Sequence, residues 1–238
     1  LTKQSPWRLK ELSILVPTYG ERDNLPTLLE RIQATLIDDG NYEVIIIDDN
    51  SPDGTGKLAD ELARTYTNVK VVHRRRKGGL SSAVIDGFRM AEGALFIIMD
   101  ADLQHPPELL AEMLRKSLGG ADLVVASRYT DGGGLEGWSP WRKAVSKGAT
   151  LLAHVFLPST QKVRDPLSGY FSVRKQVIDG VELNPLGYKL LLEILAKGKY
   201  SRVIEVPYVF RPRTKGKSKL KPSEYANYLL HLLRLVTA

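Results

Sequence analysis

The sequence predicts an α/β fold with a mostly parallel central sheet and helices on both of its faces. Three observations carry this. Short, β-branched apolar runs alternate with amphipathic stretches of helical period. Each apolar run is too uniformly hydrophobic to be half-exposed, so it reads as a strand buried on both sides. Each then ends abruptly in polar or turn-forming residues, and parallel sheets bind ligands at that carboxyl edge.

Leu12–Pro17 is the first strand, with Pro17 closing it, and Thr18–Asn24 is a polar loop. A helix over Asn24–Ile37 carries Leu25, Leu28, Leu29, Ile32 and Leu36 on one stripe. Glu43–Asp49 is the second strand, ending in paired acids, and Asn50–Gly56 is turn chemistry throughout. A helix from Thr55 to Tyr66 and a strand over Val69–His73 follow. The basic loop Arg74-Arg75-Arg76-Lys77-Gly78-Gly79 then leads into a helix ending near Ala91. The fourth strand, Ala94–Met99, runs into Asp100-Ala101-Asp102-Leu103-Gln104-His105-Pro106-Pro107-Glu108, and a helix from Glu108 to Leu118 comes next. Asp122–Ser127 is the fifth strand, with Arg128 at its end.

Beyond Arg128 the alternation loosens. Tyr129–Gly137 is glycine-rich, and Trp138–Phe156 reads as a helix carrying Trp141, Val145, Leu151, Leu152 and Val155, with Arg142, Lys143 and Lys147 early in it. Asp165–Gly169 is a turn, Tyr170–Val173 a strand, Leu186–Ala196 a helix and Val203–Phe210 a late strand that Pro207 marks as an edge or bulge. From Lys197 to Lys221 nine basic residues stand against one acid, Glu205. A last helix runs from Pro222, with Tyr225, Leu229, Leu232, Leu233 and Val236 along one side. No repeat or linker divides the 238 residues, so 1–238 is read as one domain. Within it, 12–130 is a ligand-binding half, 131–221 a second half and 222–238 a C-terminal helix.

Composition narrows the function classes. With no cysteine, disulfides and thiolate metal sites are excluded. No apolar run reaches the roughly 18 residues of a membrane span. The net charge of +7 favours anionic partners. His73, His105, His154 and His231 lack zinc spacing. Gly78-Gly79 is not followed by a phosphate-binding Walker pattern. The basic run beside it has no aromatic stacking platform, and acids at the strand ends repel nucleic acid.

The Asp100–Glu108 stretch is the most informative. An Asp-x-Asp alone also describes a helix N-terminus capped by Asp102. Placed after a buried strand, the same two carboxylates converge on one cation, and with Gln104 they suit the hard ions Mg²⁺ or Mn²⁺, which also hold diphosphates.

Five segments in order, Val16–Glu21, Asp48–Thr55, Asp100–Glu108, Ser127-Arg128-Tyr129 and Arg213–Leu220, carry a family likeness. The chain resembles the inverting family-two glycosyltransferases of the GT-A fold, and among them the dolichol-phosphate mannosyltransferases, archaeal forms in particular. The likeness runs from about Leu12 to Val236. It implies a metal-dependent enzyme that moves mannose from GDP-mannose to dolichyl or another polyprenyl phosphate at the cytoplasmic face of a membrane, with no nucleic-acid partner. It implies donor contacts from Pro17, Tyr19, Glu21, Ile46, Asp48, Asp100, Ala101, Asp102 and Gln104, with Asp100, Asp102 and Gln104 on the metal. It places Arg128, Arg213 and Lys219 near the phosphates as catalytic cations beside Asp100 and Asp102. We expect Arg128, Arg142 and Ser146 to face the acceptor phosphate. The Trp138–Phe156 and C-terminal helices read equally as elements of a membrane interface and as helices docked on the domain, and Lys215, Lys217, Lys219 and Lys221 as cations near a lipid surface or as a solvated charge run. Two positions depart from the pattern: Gly20 stands where relatives have Asn, and Phe171 where some have Arg, so neither receives a role. Many relatives continue into transmembrane helices past the point where this sequence ends. The rival readings are a polyprenyl-phosphate glucosyltransferase with a UDP-glucose donor, and a basic surface-binding protein without catalysis.

Overall fold

The computed structural model describes residues 11–37, 41–213 and 223–237. Nine strands and eight α-helices are found among them. The first half follows the expected alternation: β1 (Leu12–Thr18), α1 (Leu25–Thr35), β2 (Tyr42–Asp48), α2 (Thr55–Thr65), β3 (Val69–His73), α3 (Leu80–Met90), β4 (Leu95–Ile98), α4 (Leu110–Leu118) and β5 (Leu123–Ser127). Pro107–Leu109 forms a 3-10 turn before α4, with proline at its start where a missing N–H costs no helical bond. The second half holds β6 (Gly134–Leu135), α5 (Pro140–Phe156), β7 (Phe171–Arg174), α6 (Lys175–Ile178), α7 (Leu190–Lys197), β8 (Val203–Pro207), β9 (Val209–Phe210) and α8 (Ser223–Val236).

Seven strands form the main sheet in the order β3-β2-β1-β4-β7-β5-β8. All neighbours are parallel except β7, which runs antiparallel between β4 and β5. The sheet therefore crosses the expected division at residue 130. The helices bury their apolar stripes on its two faces. Leu25, Leu28, Leu29 and Ile32 of α1 are fully buried in one core, with Ile14, Val44, Ile46 and Ile97 of the strands. Leu15, Ile45, Ile47, Ile98 and Phe171 point to the other, packed with Ala83 and Val84 of α3 and Leu191 and Ile194 of α7. This strict alternation along each strand is what burial on both faces requires.

Three expectations change. The late strand over Val203–Phe210 is two strands. β8 closes the main sheet as an edge, which tolerates Pro207, while β9 pairs with β6 in a separate two-stranded sheet. The helix expected from Leu186 begins at Leu190, since Pro185 and the positive φ of Gly187 hold the preceding segment out of helix. The stripes read on the last long helices are mostly outside. On α5, Trp141, Leu151 and Val155 are exposed while Thr150 and Ala153 are buried. On α8, Tyr225, Leu229, Leu233 and Val236 are exposed, and Tyr228, Leu232 and Leu235 make the buried face with Ala153 and Leu157.

The antiparallel strand has a consequence for the carboxyl edge. Because β7 runs the other way, it starts where β4 and β5 end, and the turn Asp165–Gly169 before it is delivered to that edge. β8 runs parallel to β5 and ends at the same edge, so Tyr208–Arg213 arrives there too.

Candidate active site

A cleft of about 780 Å³ opens at the carboxyl edge, and it is lined by the ends of β1, β4 and β5, the turn before β7, the segment leading into α7, and parts of α3, α5 and α8. Of the residues singled out in the sequence, Pro17, Tyr19, Glu21, Asp100, Ala101, Asp102, Gln104, Arg128, Arg142, Ser146 and Arg213 line it. Lys219, with Lys215, Lys217 and Lys221, lies outside the described residues.

Two expected residues do not reach the cleft. Ile46 sits in the middle of β2 with its side chain wholly in the core, as the strand's alternation dictates. Asp48 accepts hydrogen bonds from the backbone N–H (3.2 Å) and hydroxyl of Ser51, which fixes the turn after β2. A Cβ on Gly56 would stand 2.7 Å from the Asp48 carboxylate, so only glycine fits at the foot of α2. Asp49 is likewise occupied. It pairs with Arg74 and accepts from the backbone N–H groups of Gly78 and Gly79, both at 2.8 Å. The double glycine thus cradles the protein's own carboxylate. Lys77, at the tip of that loop, lies 3.4 Å from the centre of the Tyr19 ring.

Asp100 and Asp102 face the cleft, which Glu21, Asp49, Glu136 and Glu224 also line. The backbone around Asp100 and Asp102 is held in an uncommon shape: Leu103 has φ of 63°, in the left-handed region that non-glycine residues rarely adopt. Gln104 N–H donates to Asp102 Oδ1 at 3.0 Å across this turn. His105 Nδ1 accepts the Asp100 N–H at 2.9 Å, and its ring stacks on Tyr170 at 4.9 Å with Tyr208 and Phe210 edge-on. Burial pushes the His105 pKa down to about 4, so the ring is neutral at pH 7, and an accepting Nδ1 puts its proton on Nε2. His105 thereby shapes the loop and is no metal ligand in this geometry.

Arg213 answers from the far end of the chain. Its guanidinium lies 2.7 Å from Asp102 Oδ2 and donates through Nε to Gln104 Oε1 at 2.9 Å. The Gln104 amide donates to the Arg211 carbonyl at 2.6 Å, which ties the segment after β9 across the cleft. Burial, and then the charge of Asp100, raises the pKa of Asp102. A cation between these groups relieves both effects, and the guanidinium stands in for one. The set of two carboxylates and an amide oxygen fits a hard divalent ion. Among the described residues no group of three or more His, Cys, Asp and Glu gathers.

The opposite wall differs from what the sequence suggested. Arg128 is not a free cation. Asp165, fully buried, grips it through Nε and Nη2, both at 2.7 Å, and accepts its backbone N–H at 3.0 Å. Burial disfavours the Arg128 charge, and the facing carboxylate more than reverses that, so its pKa lies above the ordinary value. Arg142 stacks 3.9 Å from the centre of the Trp138 ring, and Ser146 accepts from the Tyr129 hydroxyl at 2.7 Å. Asp165, Trp138 and Lys189 belong to this wall, and sequence reasoning missed all three. Asp165 read as a turn former, and nothing in the spacing of Lys189 sets it apart from other surface lysines.

Residues 13–178 match the model of the family described as glycosyl transferase family 2. The chain is 48% identical to a dolichol-phosphate mannosyltransferase of Pyrococcus furiosus, over 95% of this chain and 64% of that relative, so it spans just under two thirds of that protein. It is 36% identical to the dolichol-phosphate mannosyltransferase of Saccharomyces cerevisiae, over 94% of this chain and 86% of that one. Among solved structures it is similar to glucosyl-3-phosphoglycerate synthase of Mycobacterium tuberculosis in complex with Mg²⁺ and UDP. The TM-score is 0.71 at 19% identity, covering 96% of this chain and 80% of that one, which is a likeness of fold.

Proposed function

The chain belongs to glycosyl transferase family 2 and has the GT-A fold, and from that membership we propose that it transfers mannose from GDP-mannose to a dolichyl or other polyprenyl phosphate, using Mg²⁺ or Mn²⁺ at the cytoplasmic face of a membrane. The observation that carries the reading is the pairing of two walls. One is an oxygen-rich loop suited to a metal-bound diphosphate. The other is cationic and stands on a helix whose outer side is apolar.

On the donor side, Asp102, Gln104 and Asp100 would hold the divalent ion, which when bound neutralises charge on the diphosphate. Arg213 is placed to follow that charge, since one residue can exchange its contact with Asp102 for the departing phosphate oxygens. Such a contact counts most where charge is greatest, as the glycosidic bond breaks. Pro17, Tyr19 and Glu21 line the same side, and Glu21 is held in place by a 2.7 Å hydrogen bond from the Asn24 amide.

On the acceptor side no general base is required. A phosphate monoester has a second pKa near ~6 and is already a nucleophilic anion at neutral pH. What the wall must supply is positive charge and orientation. Arg142 and Ser146 offer both from α5, and the Arg128–Asp165 pair fixes the floor beneath them. Attack on the anomeric carbon from the face opposite the diphosphate gives the β-linked product.

The lipid tail needs an apolar surface next to that wall. Exposed on α5 are Trp141, Leu151, Val155 and Phe156, and on α8, which packs against it, Leu229, Leu230 and Leu233. No helix among the described residues is long and apolar enough to cross a membrane. An amphipathic pair with Lys143 and Lys147 exposed beside the apolar residues suits the interface instead.

Turnover of GDP-mannose and of UDP-glucose with a short isoprenyl phosphate, each with Mg²⁺, Mn²⁺ or EDTA, tests this. We expect mannosyl phosphate formation from GDP-mannose that EDTA abolishes. Turnover of UDP-glucose alone would identify a glucosyltransferase, and turnover unaffected by EDTA would remove the metal.

A further inference from the structure

We infer that Lys189 is a phosphate-binding residue of the acceptor wall, donating N–H to the lipid phosphate alongside Arg142; the inference rests on the function proposed above.

Lys189 stands at the start of α7, and its Nζ donates to the Leu167 carbonyl at 2.9 Å. Leu167 belongs to the same Asp165–Gly169 turn whose carboxylate grips Arg128. One turn therefore positions two cations, but it treats them differently. Arg128 receives a full carboxylate, whereas Lys189 receives a neutral oxygen. An ammonium has three donors, and the carbonyl takes one of them. Among the described residues no carboxylate lies within ion-pair distance of it, and the Tyr188 ring, 4.3 Å away, adds only a weak attraction. A partly buried ammonium in that position is incompletely compensated, and the cleft it lines is where compensation arrives.

The segment carrying it is tied down. Asn184 N–H donates to Glu193 of α7 at 3.0 Å, and Leu186 N–H to His231 of α8 at 3.3 Å. Lys189 is thus held in place as the loop's contribution to the wall.

The surrounding charges agree. Arg128 faces Lys189 from the end of β5, Asp165 from the turn, Asp100 from the end of β4 and Glu224 from α8. Burial, and then Arg128, brings its pKa down to about 7. A phosphate dianion beside Nζ opposes both influences, so above pH 7 binding the acceptor takes up a proton at this nitrogen.

The experiment compares the wild-type chain with Lys189→Met and Lys189→Arg. Initial rates are measured against a short isoprenyl phosphate and against GDP-mannose, with GDP affinity as a control for folding. We expect Lys189→Met to raise the acceptor KM by about tenfold or more, the scale of a lost charged hydrogen bond, with the donor KM and GDP affinity little changed. Lys189→Arg should restore most of that affinity. Calorimetric titration of the acceptor at pH 8, in two buffers of different ionisation heat, should show proton uptake in the wild type and none in either variant. An unchanged acceptor KM in Lys189→Met overturns the inference while leaving the proposed transfer intact. So does an equal rise in both KM values with weakened GDP binding, which marks a structural role. A wild-type chain without turnover overturns the function and this inference together.

Discussion

The two walls of the cleft are built by different means. The wall proposed to take the donor stands on strand ends. Its carboxylates follow β4 directly, and its geometry depends on a short loop with one strained residue, Leu103, and one neutral histidine. The wall proposed to take the acceptor is assembled from pieces far apart in sequence: Arg128 after β5 with its partner Asp165 before β7, Arg142 and Ser146 on α5, Lys189 before α7. Local chain geometry secures the first wall. A buried ion pair and the direction of one strand secure the second. Damage to the first should therefore cost chemistry with little loss of fold, and damage to the ion pair of the second should cost both.

The largest effect expected is on the donor wall. Asp102→Ala should lower turnover by about 10²–10³-fold, the scale of losing one preorganised electrostatic group. Its thermal midpoint should stay close to the wild type. A large drop in midpoint together with activity would erase the distinction between the walls.

Asp165→Asn tests the other side. It leaves Arg128 buried against a neutral amide, and removing one partner of such a pair costs about 3–5 kcal/mol. For a chain of this size that is a fall of roughly 10 °C in the thermal midpoint, measurable by calorimetry. A variant as stable as the wild type would mean that the ion pair is not what holds this wall.

A third change separates the acceptor wall from the surface behind it. Leu151→Asp with Val155→Asp alters exposed side chains only. Each apolar side chain inserted into a lipid interface contributes up to about 1.5–3 kcal/mol, so binding to anionic vesicles should drop by at least about tenfold. Unfolding in urea should be unchanged. Undiminished vesicle binding would assign the apolar face to another partner.

The smallest effect is a slope. Folded Lys189 loses its proton near pH 7, while in the unfolded chain it keeps it to about pH 10.5. Between those values the unfolded state binds more protons, so this group makes stability rise with pH. In the ligand-free protein, Lys189→Met should show a shallower rise between pH 7 and 10.5, read from urea midpoints. An identical slope would place Lys189 in water.

The difference between the walls is also the difference in what a reader of the sequence sees. β1 to β5 and their helices are legible because burial on two faces leaves a continuous apolar run, and the paired acids mark where it stops. Asp100, Asp102 and Gln104 are legible for the same reason. Asp48 and Asp49 carried the same mark, and in the structure their carboxylates accept from Ser51, Arg74 and the Gly78-Gly79 amides. The stripes on α5 and α8 were read correctly as apolar, but period alone does not say whether such a face meets a core or solvent. Arg128 looked free because its partner is 37 residues away.

The sequence by itself determined the alternation, the carboxyl-edge site and the acidic loop, because these follow from local periodicity and from the cost of placing charge at the end of a buried strand. Only the tertiary structure decided that β7 runs against its neighbours. That one direction brings the Asp165–Gly169 turn to the cleft, neutralises Arg128 and leaves Lys189 incompletely compensated. Strand direction depends on how the long connection from β5 to β7 packs, and a four-residue strand reads the same either way.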